Sequence, residues 1–160
     1  MRCKLGKKAL VAGKDTDGSL IYAGRAMYAG INLPAKIIPN KQSCYVSYNG
    51  VEIAVEDFEV VAAKCEKFTW EPSSHGNIEA NVVVTGQDGC DELFIGRAPF
   101  EGSLTVGKVH PSHQCLYIPF NGIEHRISHY EVLIYKQKKD KKDKKDKKDK
   151  KDKKDKKNKC

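Results

Sequence analysis

Cys44-Tyr45-Val46-Ser47-Tyr48-Asn49-Gly50-Val51-Glu52-Ile53-Ala54-Val55-Glu56 decides the fold. Its first five residues alternate with period two, and Asn49-Gly50 is a strong hairpin turn signal. After the turn Val51, Ile53 and Val55 alternate with Glu52, Ala54 and Glu56. The stretch reads as two antiparallel strands. Seventy-two residues on, Asn121-Gly122-Ile123-Glu124 repeats Asn49-Gly50-Val51-Glu52.

The repetition extends outward from this hairpin. Gly24-Arg25-Ala26 returns as Gly96-Arg97-Ala98, and Phe58-Glu59-Val60 as Tyr130-Glu131-Val132. Gly30, Lys36, Pro39 and Tyr45 return as Gly102, Lys108, Pro111 and Tyr117 at the same offset. A period this long implies a duplicated structural unit. Two copies are expected to pack with pseudo-twofold symmetry, so a site built by one should have an echo in the other. No segment carries an apolar stripe of period 3.6, and the apolar runs are short and rich in β-branched and aromatic residues. The expected fold is all-β: two tandem antiparallel repeats in one domain. The first repeat is placed at residues 1–64, a linker and the second repeat at 65–135, and a disordered low-complexity tail at 136–160. Trp70, the one tryptophan, falls between the copies and is expected to anchor their packing.

The formal charge of +8 belongs to the tail. Lys136 to Lys159 holds sixteen Lys and six Asp, while the rest of the chain nets −2. A near-neutral body argues against a folded nucleic-acid-binding face, so no sequence-specific nucleic-acid partner is expected. The Lys-Lys-Asp repeats offer no apolar face and are expected to stay disordered. Their Asp residues dilute the charge, leaving weak contact with polyanions or anionic surfaces. No run approaches the roughly 20 apolar residues of a transmembrane helix.

Cys3, Cys44, Cys65, Cys90, Cys115 and Cys160 do not match between the copies, and the Met1 end lacks the apolar run of an export signal. Reduced thiols and a cytoplasmic location are expected, with non-classical export left open. His110, His113, Cys115, His125 and His129 cluster in sequence. The first copy has Ile38, Lys41 and Ser43 where the second has His110, His113 and Cys115, which speaks against a metal site or a cysteine nucleophile. No nucleophile elbow, phosphate loop or dinucleotide fingerprint is present, so neither a cofactor nor catalysis is expected. Arg25 and Arg97 are expected to brace the fold against a carboxylate, Glu52 or Glu124.

Several elements carry a resemblance, in order: Leu93-Phe94-Ile95-Gly96-Arg97-Ala98, Gly102-Ser103-Leu104-Thr105-Val106-Gly107-Lys108, Tyr117-Ile118-Pro119-Phe120-Asn121-Gly122-Ile123-Glu124-His125 and Tyr130-Glu131-Val132-Leu133. Together with their first-copy counterparts they resemble the DM-nine repeat over residues 9–135. Some members of that family are invertebrate mannose-binding lectins of pattern recognition and innate immunity. In those lectins an Asp in an early loop and the Lys of a Pro-Gly-Lys turn hold the sugar. The resemblance implies Asp15 with Lys36, and Asp88 with Lys108, as two ligand-binding pairs. It implies mannose or mannose-containing glycans as partner, with a homodimer open as the assembly state. Chemically, a carboxylate that accepts and an ammonium that donates can bracket a sugar diol. Ala35 stands where the motif has Gly, and is expected to strain a turn that needs positive φ. The alternative is an intracellular interaction or structural module of membrane traffic or stress response with vestigial sugar sites.

Overall fold

The computed structural model describes residues 5–62 and 67–136. The first copy forms β1 (Val11–Lys14), β2 (Leu20–Tyr28), β3 (Ile31–Ile38), β4 (Ser43–Tyr48), β5 (Val51–Ala54) and β6 (Glu59–Val60). β7 (Phe68–Ser74) lies between the copies. The second copy forms β8 (Val84–Asp88), β9 (Asp91–Phe100), β10 (Ser103–His110), β11 (Cys115–Phe120), β12 (Ile123–Ile127) and β13 (His129–Tyr135). Two single-turn 3₁₀ segments, Pro39–Lys41 and Pro111–His113, occupy matching places. The fold is all-β, as the alternation predicts. The tail expected to be disordered lies outside the described residues from 137 on.

Each copy repeats the same pairings, β1–β2–β3–β4–β5 in the first and β8–β9–β10–β11–β12 in the second. The copies are then stitched by exchange. β1 of the first pairs with β10 of the second, through Lys14 and Leu104, and β8 pairs with β3, through Gln87 and Asn32. β5 meets its own counterpart β12 at Val51 and Ile123. These pairings close the sheet on itself, like a barrel, and removing edges is what stabilises such closure.

The two hairpin tips follow from their sequences. Asn49 and Gly50 have φ of 50° and 83°, and Asn121 and Gly122 have 52° and 83°. Successive positive φ values define the turn whose twist matches the flanking strands, and Asn-Gly adopts them at least cost.

The central core draws on both copies: Ala12, Ile21, Ala23 and Ile38 pack with Val83, Ile95, Val106 and Leu133. Trp70 packs against this cluster, the anchoring place its position between the copies predicts. A further cluster fills each copy, around Leu33, Ile37 and Val46 in the first and Val109, Leu116 and Ile118 in the second.

Three expectations are corrected here. Lys36 and Lys108 are not turn residues. They sit inside β3 and β10 and are buried, at 5% and 6% exposure. Neither Ala35 nor Gly107 is among the residues with positive φ, so Ala35 bears no left-handed strain. Gly107 is small for another reason: a Cβ there would stand 2.0 Å from the Tyr117 carbonyl oxygen. The arginines also pair differently. Arg25 Nε donates to Glu59 Oε2 at 2.7 Å and Arg97 Nε to Glu131 Oε2 at 2.7 Å. Glu52 and Glu124 instead face the lysines.

Candidate functional site

Two clefts lie in equivalent places, each assembled from both copies. The first has a volume of about 210 Å³ and is lined by Asp15, Lys36, Lys41, Tyr45 and Glu52 of one copy with Phe120 and Asn121 of the other. The second, about 290 Å³, is lined by Asp88, Lys108, His110, His113, Tyr117 and Glu124, with Tyr48, Asn49 and Gly50 across from them. Each hairpin tip thus forms one wall of the opposite copy's cleft.

A buried ion pair makes the floor. Lys36 Nζ lies 3.0 Å from Glu52 Oε2 and also donates to the Pro119 carbonyl of the second copy. In the echo, Lys108 Nζ donates to the Ser47 carbonyl at 2.8 Å and lies 3.4 Å from Glu124 Oε2. The other oxygen of each carboxylate crosses the pseudo-twofold axis. Glu52 Oε1 accepts from the Gly122 amide, and Glu124 Oε1 from the Gly50 amide, both at 3.2 Å. Each glutamate therefore ties its own lysine to the neighbouring hairpin. An ammonium has three donors, so two acceptors leave one N–H of Lys36 uncommitted among the described residues.

Aromatic faces surround the charges. Lys36 Nζ stands 5.3 Å from the Tyr45 ring centre and 5.6 Å from that of Phe120, and Lys108 Nζ 5.1 Å from that of Tyr117. Such placement adds cation–π attraction. Burial pushes the Lys36 pKa below its ordinary value, against the raising influence of Glu52.

The aspartates reach the clefts from the β1 and β8 ends, but neither pairs directly with its lysine. Asp15 Oδ2 lies 2.5 Å from Lys41 Nζ, and its Oδ1 accepts from the Thr16 amide at 2.8 Å. Burial opposes ionisation of Asp15, yet the Lys41 and Thr16 hydrogen bonds prevail and hold its carboxyl below the usual range. Asp17 adds a contact to Lys41 at 3.3 Å. Asp88 meets a different neighbour: His110 Nε2 at 3.7 Å. His110 stacks on His113 with ring centres 3.7 Å apart and planes within 3°. The structure thus brings Asp15 with Lys36, and Asp88 with Lys108, to one cleft each. Sequence reasoning missed the partners around them. Glu52, Glu124 and the hairpin tips carried a visible signal, since Asn-Gly-x-Glu is repeated verbatim. Lys41, His110 and His113 had none, being unlike in the two copies.

Among the described residues no group of three or more His, Cys, Asp or Glu could hold a metal. Burial pushes the Cys115 thiol above its ordinary pKa, which keeps it in the unreactive form. No helix among the described residues is long and apolar enough to cross a membrane.

A duplicated, strand-exchanged all-β protein with two clefts shared between copies is the class these features define. The DM9 repeat model matches residues 15–127, and the chain belongs to the DM9 repeat family. Among curated proteins it is similar to three from Thalassophryne nattereri. It is 28% identical to Natterin-3 over 93 residues, which are 57% of this chain and 23% of that protein. It is 27% identical to Natterin-1 over 92 residues, 56% of this chain and 24% of that protein. It is 26% identical to Natterin-4 over 121 residues, 70% of this chain and 28% of that protein. The matched segments span about a quarter of the length of these relatives.

Proposed function

We propose that this chain is a lectin-like, carbohydrate-binding protein without catalytic activity. It takes mannose or a mannose-containing glycan at two sites, one around Asp15 and Lys36 and one around Asp88 and Lys108. The observation that carries the reading is that each aspartate opens on the same cleft as its lysine, beside an aromatic ring. A neutral polyol suits such a cleft. The carboxylate accepts from adjacent hydroxyls, the uncommitted lysine N–H donates to one, and the ring covers the apolar face of the sugar. DM9 family membership supports the same reading.

The two sites are not equal. In the first, Lys41 already occupies the Asp15 carboxylate, and a sugar hydroxyl must compete with it. In the second, Asp88 is 42% exposed and its ion-pair partner among the described residues is His110, at 3.7 Å. The second cleft is therefore the stronger site. A single monosaccharide should bind near the millimolar range, about −4 kcal/mol, and tighter attachment needs a glycan or surface that engages both clefts.

Calorimetry of mannose binding to the Asp15→Ala/Asp88→Ala double variant is the test. The double variant should fold and lose sugar binding, with Asp88→Ala alone removing more of it. Unchanged affinity in a folded double variant would refute the assignment.

A further inference from the structure

The two clefts differ most in what stands beside the aspartate. In the first, Lys41 Nζ lies 2.5 Å from Asp15 Oδ2. Ile38 and Lys41 line that cleft, and no histidine lines it among the described residues. In the second, His110 and His113 take the places of Ile38 and Lys41. His110 Nε2 lies 3.7 Å from Asp88 Oδ2. That is too long for a hydrogen bond, and short enough for an ion pair once the ring is charged.

Groups from every neighbouring element face His110. His113, in the 3₁₀ turn, stacks on it with ring centres 3.7 Å apart. The Nδ1 of His113 is bonded to the Tyr117 hydroxyl of β11 at 3.0 Å, and its carbonyl accepts from Arg126 of β12 at 2.6 Å. Lys108 lies two residues before His110 on β10. Asp88 ends β8, and Asp91 opens β9, where it accepts from Ser112 Oγ at 2.8 Å. Glu124 of β12 lines the same cleft, with its carboxylate turned to Lys108 and the Gly50 amide. Burial, His113 and Lys108 oppose a charge on His110, while Asp91 and Asp88 favour it, and its pKa falls below 6.5.

We propose that the stacked pair His110–His113 is an acid gate on the second cleft: at neutral pH Asp88 accepts from the sugar, and in acid a protonated His110 takes the Asp88 carboxylate instead. The gate rests on the carbohydrate reading of this cleft and adds its regulation. Whichever nitrogen carries the proton of the neutral ring, the charged ring presents Nε2–H to Oδ2. The charge-assisted bond then occupies Asp88 as Lys41 occupies Asp15. The advantage of the second cleft over the first is thereby erased in acid. The first cleft does not follow, because the hydrogen bond from Asp15 raises the Lys41 pKa and keeps its charge in place. Sugar and proton compete for one carboxylate, so the coupling is reciprocal, and bound sugar lowers the pH at which His110 titrates.

The test titrates methyl α-mannoside into the full isotope-labelled chain at about pH 7.5 and about pH 5. Amide NMR shifts at Asn49 and Gly50 report the second cleft, and those at Asn121 the first. Affinity at Asn49 and Gly50 should weaken about tenfold in acid, while that at Asn121 stays constant. Mannoside should move the His110 imidazole midpoint to lower pH. His110→Ile, which copies Ile38, should flatten the ratio of second-cleft affinities between the two pH values. His113→Gln, at an exposed position, should keep the gate and move its midpoint to higher pH, since one opposing charge is gone. Equal second-cleft affinity at both pH values, with binding intact, would overturn the gate alone. So would parallel weakening of both clefts, or a His110 midpoint that mannoside leaves unmoved. Shifts at neither cleft at about pH 7.5 would overturn the carbohydrate reading and the gate together.

Discussion

Val51 pairs with Ile123, its own counterpart 72 positions on, so the pseudo-twofold axis passes between them. On either side the pairings are reciprocal: Glu52 N donates to Gly122 O at 3.1 Å, and Glu124 N to Gly50 O at 3.0 Å. With β1 on β10 and β8 on β3, neither copy completes its own sheet. A fragment of residues 1–64 should therefore not fold as a monomer. It should stay unfolded, or form a homodimer in which a second fragment takes the place of the second copy. Sedimentation and far-UV circular dichroism distinguish these outcomes, and a folded monomer contradicts the exchange argument.

Lys36 and Glu52 are 6% and 11% exposed. Removing one partner of a buried pair strands the other charge, at a cost of about 3–5 kcal/mol. Lys36→Met should show a loss of that size in urea unfolding. Adding Glu52→Gln should restore a large part of it, because the amide keeps an acceptor for Gly122 without a charge. Two independent, additive losses would mean the pair is not coupled.

Gly107 and Ala35 are counterparts with opposite tolerance. Gly107→Ala should destabilise by ~1–3 kcal/mol, since its methyl group meets the Tyr117 carbonyl. Ala35→Gly should cost about 0.5–1 kcal/mol, from backbone freedom alone. Thermal unfolding of the two variants side by side is the check, and equal effects would mean the strands relax around the clash.

His110 gives the fold an acid-sensitive point. Its side chain is 3% exposed and its Nδ1 has no hydrogen-bond partner among the described residues. Burial, with neighbouring His113 and Lys108, pulls its pKa below 6.5 despite the opposing pull of Asp91 and Asp88. A base with a depressed folded-state pKa binds fewer protons folded than unfolded. Its contribution to stability is thus intact above pH 6.5 and lost as pH falls toward the depressed value. Melting temperature should drop between about pH 8 and about pH 5, and His110→Ile, which copies Ile38, should flatten that drop. A variant with an unchanged profile would clear His110 of the effect.

The strands were legible because burial on one face imposes alternation, and the hairpin tips because Asn-Gly is suited to positive φ. The Asp and Lys positions were reachable through their recurrence. Lys36 was not readable as buried: a lysine between Ala35 and Ile37 looks like an exposed strand position unless Glu52 and Pro119 are known to face it. The exchange of β1 and β8 was equally hidden, since pairings such as Lys14 with Leu104 and Asn32 with Gln87 join residues too far apart in the chain to leave a local pattern. The arginine partners were legible and misread. Glu59 and Glu131 recur as faithfully as Glu52 and Glu124, and only strand order decides which pair lies beside Arg25 and Arg97.

Because each cleft is walled by the other copy's hairpin, the two halves of the gene have lost the usual freedom of duplicates. Normally one copy keeps an old role while its twin accumulates change. Here a substitution at Pro119 or Asn121 is felt by Lys36, and one at Ser47 or Asn49 by Lys108. The counterparts Ser47 and Pro119 differ in side chain yet both serve the other copy's lysine through a backbone carbonyl, whereas Lys41 and His113 give the two clefts different side-chain walls. Those are the positions where two inherited copies could become two different binding sites.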